Sequence, residues 1–152
     1  MARIVILDTG VVGLLCCQPK TKDFAECYDW MYGMVALGTS VMVPDVVDYE
    51  IRRELIRLSA MAKLRRLGIL KASINPAEVT PAAWAKAADF WAIVRRKGIP
   101  TAGAEALDCD SLLAGFAATI GKRRDKVTIA TTNAKHLNRF PGIDARNWRE
   151  IT

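Results

Sequence analysis

Ile4-Val5-Ile6-Leu7 is an unbroken aliphatic run that ends on Asp8. A strand made from it has no polar face, so both faces must be covered, as they are inside a parallel sheet. That requirement commits the chain to an architecture in which strands alternate with covering helices. Asp8 falls at the carboxyl end of the strand, the edge at which open α/β sheets bind their ligands. A half-buried acid there is costly unless it is paired or holds a cation. Closing the strand through an Asx-turn, with no chemistry attached, is the alternative use of an aspartate at this place.

The rest of the chain supplies covering helices and further strands. Phe24, Cys27, Trp30, Met31, Met34 and Val35 recur at helical spacing over 23–37. Ser40 to Val43 reads as a second strand stopped by Pro44. Helical periodicity returns over 45–58 through Val46, Val47, Ile51, Leu55 and Leu58. A helix over 61–67 is punctuated by Gly68, and Ile69 to Ile74 is expected as a strand. Thr80 caps a helix that opens with Pro81 and stops at Gly98. A loop over 99–106 follows, then a helix from Ser111 to Ile120 for which Asp110 is a suitable cap. Val127 to Thr131 is a strand, 134–138 a short helix, and 143–151 a last strand or extended end. The pattern predicts one three-layer α/β/α domain over 1–152 with a mostly parallel central sheet.

With 152 residues, 51% of them hydrophobic and 25% charged, the chain can bury a proper core as a single domain. No run approaches the ~18 apolar residues that span a bilayer. Met1-Ala2-Arg3 leads directly into a strand rather than a signal peptide's apolar stretch, so a cytoplasmic protein is expected. Cys16, Cys17, Cys27 and Cys109 contain no C-x-x-C pair, and His136 is the sole histidine. Free thiols in a reducing cytosol therefore fit better than a zinc site. The net charge of +6 suits a polyanionic partner and equally suits a merely basic surface.

Most of the 16 acidic residues belong on solvated helix faces. Asp8 ends the first strand, Glu50 comes early in the helix after the second, and Asp108 and Asp110 precede the apolar run from Ser111. Folding a parallel sheet can bring such residues together. Each also has a plain use: Glu50 as a helix-face acid paired with a nearby arginine, and Asp110 as an N-cap.

Four segments in order resemble PIN-domain nucleases, and most closely the VapC-type toxins of toxin–antitoxin pairs. The first is Ile6-Leu7-Asp8-Thr9-Gly10-Val11-Val12. The second is Val43 to Leu55, with Glu50 in the acidic position, and the third is Ala106-Leu107-Asp108-Cys109-Asp110-Ser111-Leu112-Leu113-Ala114. The fourth is Ile129-Ala130-Thr131-Thr132-Asn133-Ala134-Lys135-His136-Leu137, with Trp148 where the family often ends its last strand. The resemblance implies a metal-dependent endoribonuclease whose catalytic and metal-binding acids are Asp8, Glu50 and Asp110, with Asp108 as a further metal-binding acid. Many members carry an aspartate in the fourth segment, where this chain has Thr131-Thr132-Asn133. Thr9, Thr132 and Asn133 are then expected to position water or phosphate, and the departure bears on a second metal more than on activity.

The chemistry implied is that of a hard cation. Mg²⁺, with Mn²⁺ as substitute, takes oxygen ligands and offsets the repulsion among clustered carboxylates. For RNA the sequence offers Arg52, Arg53 and Lys135, together with Lys122-Arg123-Arg124 and Arg139. The Lys122 to Arg124 cluster serves equally as a solvated helix end. The family further implies a cognate antitoxin and a homodimer, for which the helix bearing Trp30, Met31 and Met34 offers an apolar face. Trp84 and Trp91, seven apart on a helix, read as core or dimer-contact residues before base-stacking platforms.

Rival α/β chemistries fail on spacing. A haloacid-dehalogenase-type phosphatase needs a second aspartate two residues after Asp8, where Gly10 stands. A receiver domain needs an adjacent acidic pair, and a nucleotide-binding turn needs more glycine than Gly10 and Gly13 supply. A catalytically degenerate PIN domain, binding RNA or protein without cutting, is the remaining alternative.

Overall fold

In the computed structural model, which describes residues 1–98 and 103–152, the aliphatic run forms the inner strand β1 (Arg3–Leu7). It lies between β2 (Ser40–Met42) and β3 (Lys126–Thr131), and β4 (Ala145–Asn147) pairs outside β3. All these pairings are parallel. Ile4 stands opposite Ser40 on one side and Val127 on the other, and Ile6 opposite Met42 and Ile129. Val5, Ile6 and Leu7 are fully buried, as a strand covered on both faces must be. The flanking helices are α1 (Thr9–Leu15), α2 (Lys22–Ala36), α3 (Asp45–Arg57), α4 (Met61–Ser73), α5 (Pro81–Arg96), α6 (Ala104–Ile120) and the short α7 (Ala134–Leu137). The sequence-based expectation of a three-layer α/β/α domain with a parallel sheet holds.

Four local expectations give way to tertiary packing. Residues 69–73 are not a strand, because α4 runs through Gly68 to Ser73. A glycine inside a helix costs about 1 kcal/mol, and burying Leu67 and Leu70 on one face outweighs it. Just beyond the expected strand, Asn75 makes an isolated parallel bridge to Met42. The helix expected from Ser111 instead begins at Ala104, since Ala-Glu-Ala-Leu are strong helix formers and Leu107 extends the buried stripe. Gly103 therefore takes the N-cap position, and Asp110 sits inside the helix rather than capping it. The expected loop over 99–102 lies outside the described residues. At the other end, β4 stops at Asn147 and the chain turns into a single 3₁₀ turn, Trp148–Glu150.

The fourth correction concerns the face assigned to a dimer. Met31 and Met34 are core residues, and Trp30 packs on Trp148 with ring centroids 5.6 Å apart. The Trp30 indole N–H donates to the Ile151 carbonyl at 2.8 Å, so this face is spent within the chain. Trp84 and Trp91, by contrast, remain 58% and 38% exposed on α5 and are not core residues. On its other face α5 packs tightly against α6, where a Cβ at Gly115 would stand 2.6 Å from the Ala83 carbonyl oxygen and 2.8 Å from the Ala87 nitrogen.

The cysteines are all free thiols. Burial pushes Cys16 and Cys109 up to about 11 and Cys27 up to about 12, which leaves them protonated and poorly nucleophilic. Among the described residues no helix is long and apolar enough to cross a membrane.

Candidate metal centre

The sheet order creates a switch point at the carboxyl edge. From β1 the chain moves outward to β2, and from β3 it moves the opposite way to β4, which opens a crevice above the β1–β3 pair. Asp8 and Thr131 stand on its floor. Asp8 is the first residue beyond β1, and its N–H still donates to the Ala130 carbonyl at 2.9 Å, so its position is fixed by the ladder. Its carboxylate caps α1, accepting from the Thr9 N–H at 2.7 Å through Oδ1, while Oδ2 accepts from the Thr131 hydroxyl at 2.6 Å. Asp8 therefore has a structural use as the cap of α1, although its bond goes to the next residue rather than two residues on as in an Asx-turn, and this use leaves lone pairs on both oxygens for a further partner. Burial raises the Asp8 pKa despite these two hydrogen bonds.

Glu50 reaches the same edge from α3, whose Val46, Val47, Ile51 and Leu55 are buried. The Thr9 hydroxyl donates to Glu50 Oε2 at 2.6 Å, so Glu50 is tied to the first residue of α1 rather than to a neighbouring arginine. Asp110 comes from α6, and Arg139 Nη2 donates to its Oδ2 at 3.0 Å. The Asp110 pKa is pushed up to about 6, first by burial and then by the negative charges of Asp8 and Glu50, with Arg139 opposing. Three carboxyl groups from three distant segments thus share one field. They have not closed on a common point: among the described residues no three histidine, cysteine or acidic side chains converge closely enough to hold an ion as they stand.

Asp108 is not brought to this cluster. Two positions apart on a helix is about 200° of rotation, which turns Asp108 away from Asp110. It lines a separate groove of about 410 Å³ with Trp84, Trp91 and Leu112. Of the expected water- or phosphate-positioning residues, Thr9 holds Glu50. Thr132 lies over Gly10, whose missing side chain makes room for the Thr132 hydroxyl. Asn133 participates through its backbone, donating its N–H to Thr131 Oγ1 at 3.0 Å.

The expected RNA contacts separate. Arg52 is engaged by Asp48 in a two-pronged pair at 2.8 and 2.9 Å. Arg53 lies 5.1 Å over the Tyr49 ring and lines a cavity of about 420 Å³ with Thr9, Glu50 and Lys63, and Lys135 is exposed on α7.

Two participants are not evident from sequence reasoning. Thr131 reads there as the end of a strand and a member of the fourth segment with no role of its own, and Arg139 only as an RNA contact. A position-by-position reading of strand ends finds Thr131, since it follows the β3 ladder to the same edge as Asp8. No local pattern marks Arg139 as the partner of a residue 29 positions away.

The donor set is oxygen-only, acidic and mutually repelling. It suits a hard divalent cation and lacks the thiolate or imidazole ligands a softer metal would favour. Mg²⁺ keeps several waters and needs only one or two direct carboxylates, so acids that share a field without touching fit it in donor type.

Neither a protein-family model nor a curated protein sequence matches the chain. Solved structures do. A chain of VapBC2 from Rickettsia felis, bound to a DNA fragment from their promoter, is 15% identical, with 95% of this chain and 98% of that one covered at a TM-score of 0.72. DNA-bound VapBC from Salmonella typhimurium is matched at 20% identity, coverages of 97% and 99%, and a TM-score of 0.65. FitAcB from Neisseria gonorrhoeae is matched at 16% identity over the same shares with a TM-score of 0.68. At these identities the likeness is one of fold, and the fold of this chain is PIN-like over the 95–97% of its length that these structures cover.

Proposed function

We propose that the chain is a Mg²⁺-dependent endoribonuclease, the toxin component of a type II toxin–antitoxin pair, with Asp8, Glu50 and Asp110 as its catalytic and metal-binding acids. The observation that carries this reading is the shared field of the three carboxyls, strong enough to contribute to an Asp110 pKa of about 6. Clustered acids at a sheet's switch point destabilise the metal-free protein, and a cation that offsets their charge gives such an arrangement a use. Support for the toxin role comes from the fold likeness to chains of VapBC and FitAcB assemblies.

Asp8, Glu50 and Asp110 would hold the ion. When bound, it supplies charge neutralisation at the scissile phosphate and makes water more acidic for an in-line displacement. Thr131 and the Thr9 N–H orient Asp8, while the Thr9 hydroxyl orients Glu50. The cavity beside Thr9 and Glu50 offers the Arg53 guanidinium and the Lys63 ammonium to the phosphate backbone. An antitoxin that blocks the crevice is expected as partner, in the cytoplasm where the RNA lies. A basic side chain inserted among the acids would replace the metal's charge.

Homodimerisation is proposed through the α5 groove with Trp84 and Trp91, rather than through the internal Trp30 face. The alternative, a non-cutting RNA- or protein-binding PIN domain, draws on the acids' open arrangement and on Asn133 in the fourth segment. Labelled RNA incubated with purified protein in Mg²⁺, Mn²⁺ or EDTA separates the two. Cleavage in either metal, abolished by EDTA and by Asp8→Asn, is the expected result, and RNA bound but intact in all three would leave only the binding module.

A further inference from the structure

Tyr49 and Glu50 are consecutive on α3, and Arg53 lies between them on the helix surface. Each residue turns an α-helix by about 100°, so Glu50 stands about 100° round from Tyr49 and Arg53 about 40°. Glu50 faces the crevice through its bond from the Thr9 hydroxyl. Tyr49 is 60% exposed, with the Arg53 guanidinium 5.1 Å from its ring centroid. A ring left this far in water adds little to the core, so packing gives no reason for an aromatic residue here.

Two cavities meet at this pair. Arg53 borders the one of about 420 Å³, together with Thr9, Glu50, Glu54 and Lys63. Arg57 holds Glu54 with two nitrogens, so within the cavity Arg53 and Lys63 stand against the charge of Glu50. Tyr49 borders the other, of about 430 Å³, with Val46, Val79, Trp84 and Leu112, where the one acid, Asp45, is paired with Lys71. Cations on one side of the pair and an apolar, aromatic cleft on the other match the two halves of a nucleotide, its phosphate and its flat base. Resting on the RNA reading above, we infer that Tyr49 is a stacking platform for an unpaired base of the substrate, while Arg53 and Lys63 hold the adjoining backbone beside the acids. A base inside a duplex is covered by its neighbours and cannot reach the ring, so the substrate class is single-stranded or looped RNA. Trp84 borders this cleft and the dimer groove alike, whereas Tyr49 borders only the cleft.

Fluorescence anisotropy of labelled RNA with the full chain in EDTA tests this without reference to cleavage. The probes are a mixed-sequence strand with no stable internal pairing and the same strand annealed to its complement. Wild type should prefer the single strand. Tyr49→Leu should bind it roughly five- to a hundredfold more weakly with an unchanged salt dependence, and Tyr49→Phe, which keeps the ring, should bind like wild type. Arg53→Gln should instead flatten the salt dependence, by about 0.7 in the log–log slope. Equal wild-type affinity for strand and duplex, no binding of either, or Tyr49→Leu binding as tightly as wild type would overturn the inference; the last would leave the ring to a protein partner. Cleavage in Mg²⁺ would keep the nuclease reading standing in each of those cases. The expected binding pattern without any cleavage would remove the nuclease and keep the platform. Should Tyr49→Leu fail to fold, ultraviolet cross-linking of wild type to single-stranded RNA carrying 5-iodouridine decides: the cross-link should map to Tyr49, and cross-links that spare Tyr49 would overturn the inference.

Discussion

Asp110 is the residue whose ionisation weighs most on the metal-free protein. Its side chain is 23% exposed, and its pKa of about 6 compares with 3.8 in an unfolded chain. Below about pH 4 it is protonated in both states. Between 4 and 6 the folded chain binds the extra proton, so its contribution to stability falls as pH rises. Above 6 the ionised folded state carries the whole penalty, roughly 3 kcal/mol at most. Asp48, paired with Arg52, and Asp125, which accepts from the Ala2 and Lys122 backbone N–H groups, have lowered pKa values and run the other way, so the difference between variants is the cleaner observable. In EDTA, Asp110→Asn should melt several degrees above wild type at pH 7.5, with the advantage gone near pH 4. An advantage that persists at pH 4 would place the cause elsewhere. Asp8→Asn should also fold at least as well as wild type without metal, because the Thr131 hydroxyl can turn to accept from the new amide, and it should lose RNA cleavage.

At the scale of elements, the α5–α6 contact holds the site's third acid in place. Gly115→Ala would drive a methyl into the backbone of Ala83 and Ala87, and a destabilisation of about 1–3 kcal/mol is expected. Gly33, also inside a helix, has open space where a Cβ would stand, with nothing within 4 Å among the described residues. Gly33→Ala should therefore stabilise by roughly 0.5–1 kcal/mol through helix propensity alone. Urea melts of the pair test whether close approach, rather than glycine as such, is what α6 needs. Equal and favourable effects would contradict a tight α5–α6 contact. Both glycines sit in good helical sequence, and no local pattern tells them apart. Only the partner helix distinguishes them.

For the whole molecule, ligand linkage and assembly provide the checks. A cation that binds the folded chain raises its melting temperature by mass action, so millimolar Mg²⁺ should stabilise wild type but not Asp8→Asn. An unmoved wild-type melt would count against the metal site. Sedimentation at micromolar concentration should show a dimer that Trp84→Glu with Trp91→Glu converts to monomer. Because both indoles are already exposed on α5, the monomeric variant should melt close to wild type. Dimer retained in the double variant would move the interface off this groove.

The aliphatic run, the alternation of strand and helix, and the acids at strand ends were decided by the sequence itself. Burial pattern and chain direction are local properties that no partner residue can reverse. Asp8 was legible for that reason: a strand with two buried faces has one carboxyl end, and the residue after it must stand there. Helix boundaries at Gly68 and Asp110 were not legible, because packing of Leu67, Leu70 and Leu107 outweighed the local stop and cap signals. The separation of Asp108 from Asp110 follows from helical phase, which became readable only once α6 was known to start at Ala104. Arg139 on Asp110, Thr131 on Asp8 and Thr9 on Glu50 join segments far apart in the chain. Pairings of that kind belong to tertiary structure alone, since through-space charge and hydrogen bonding depend on distances that a linear order of residues does not contain.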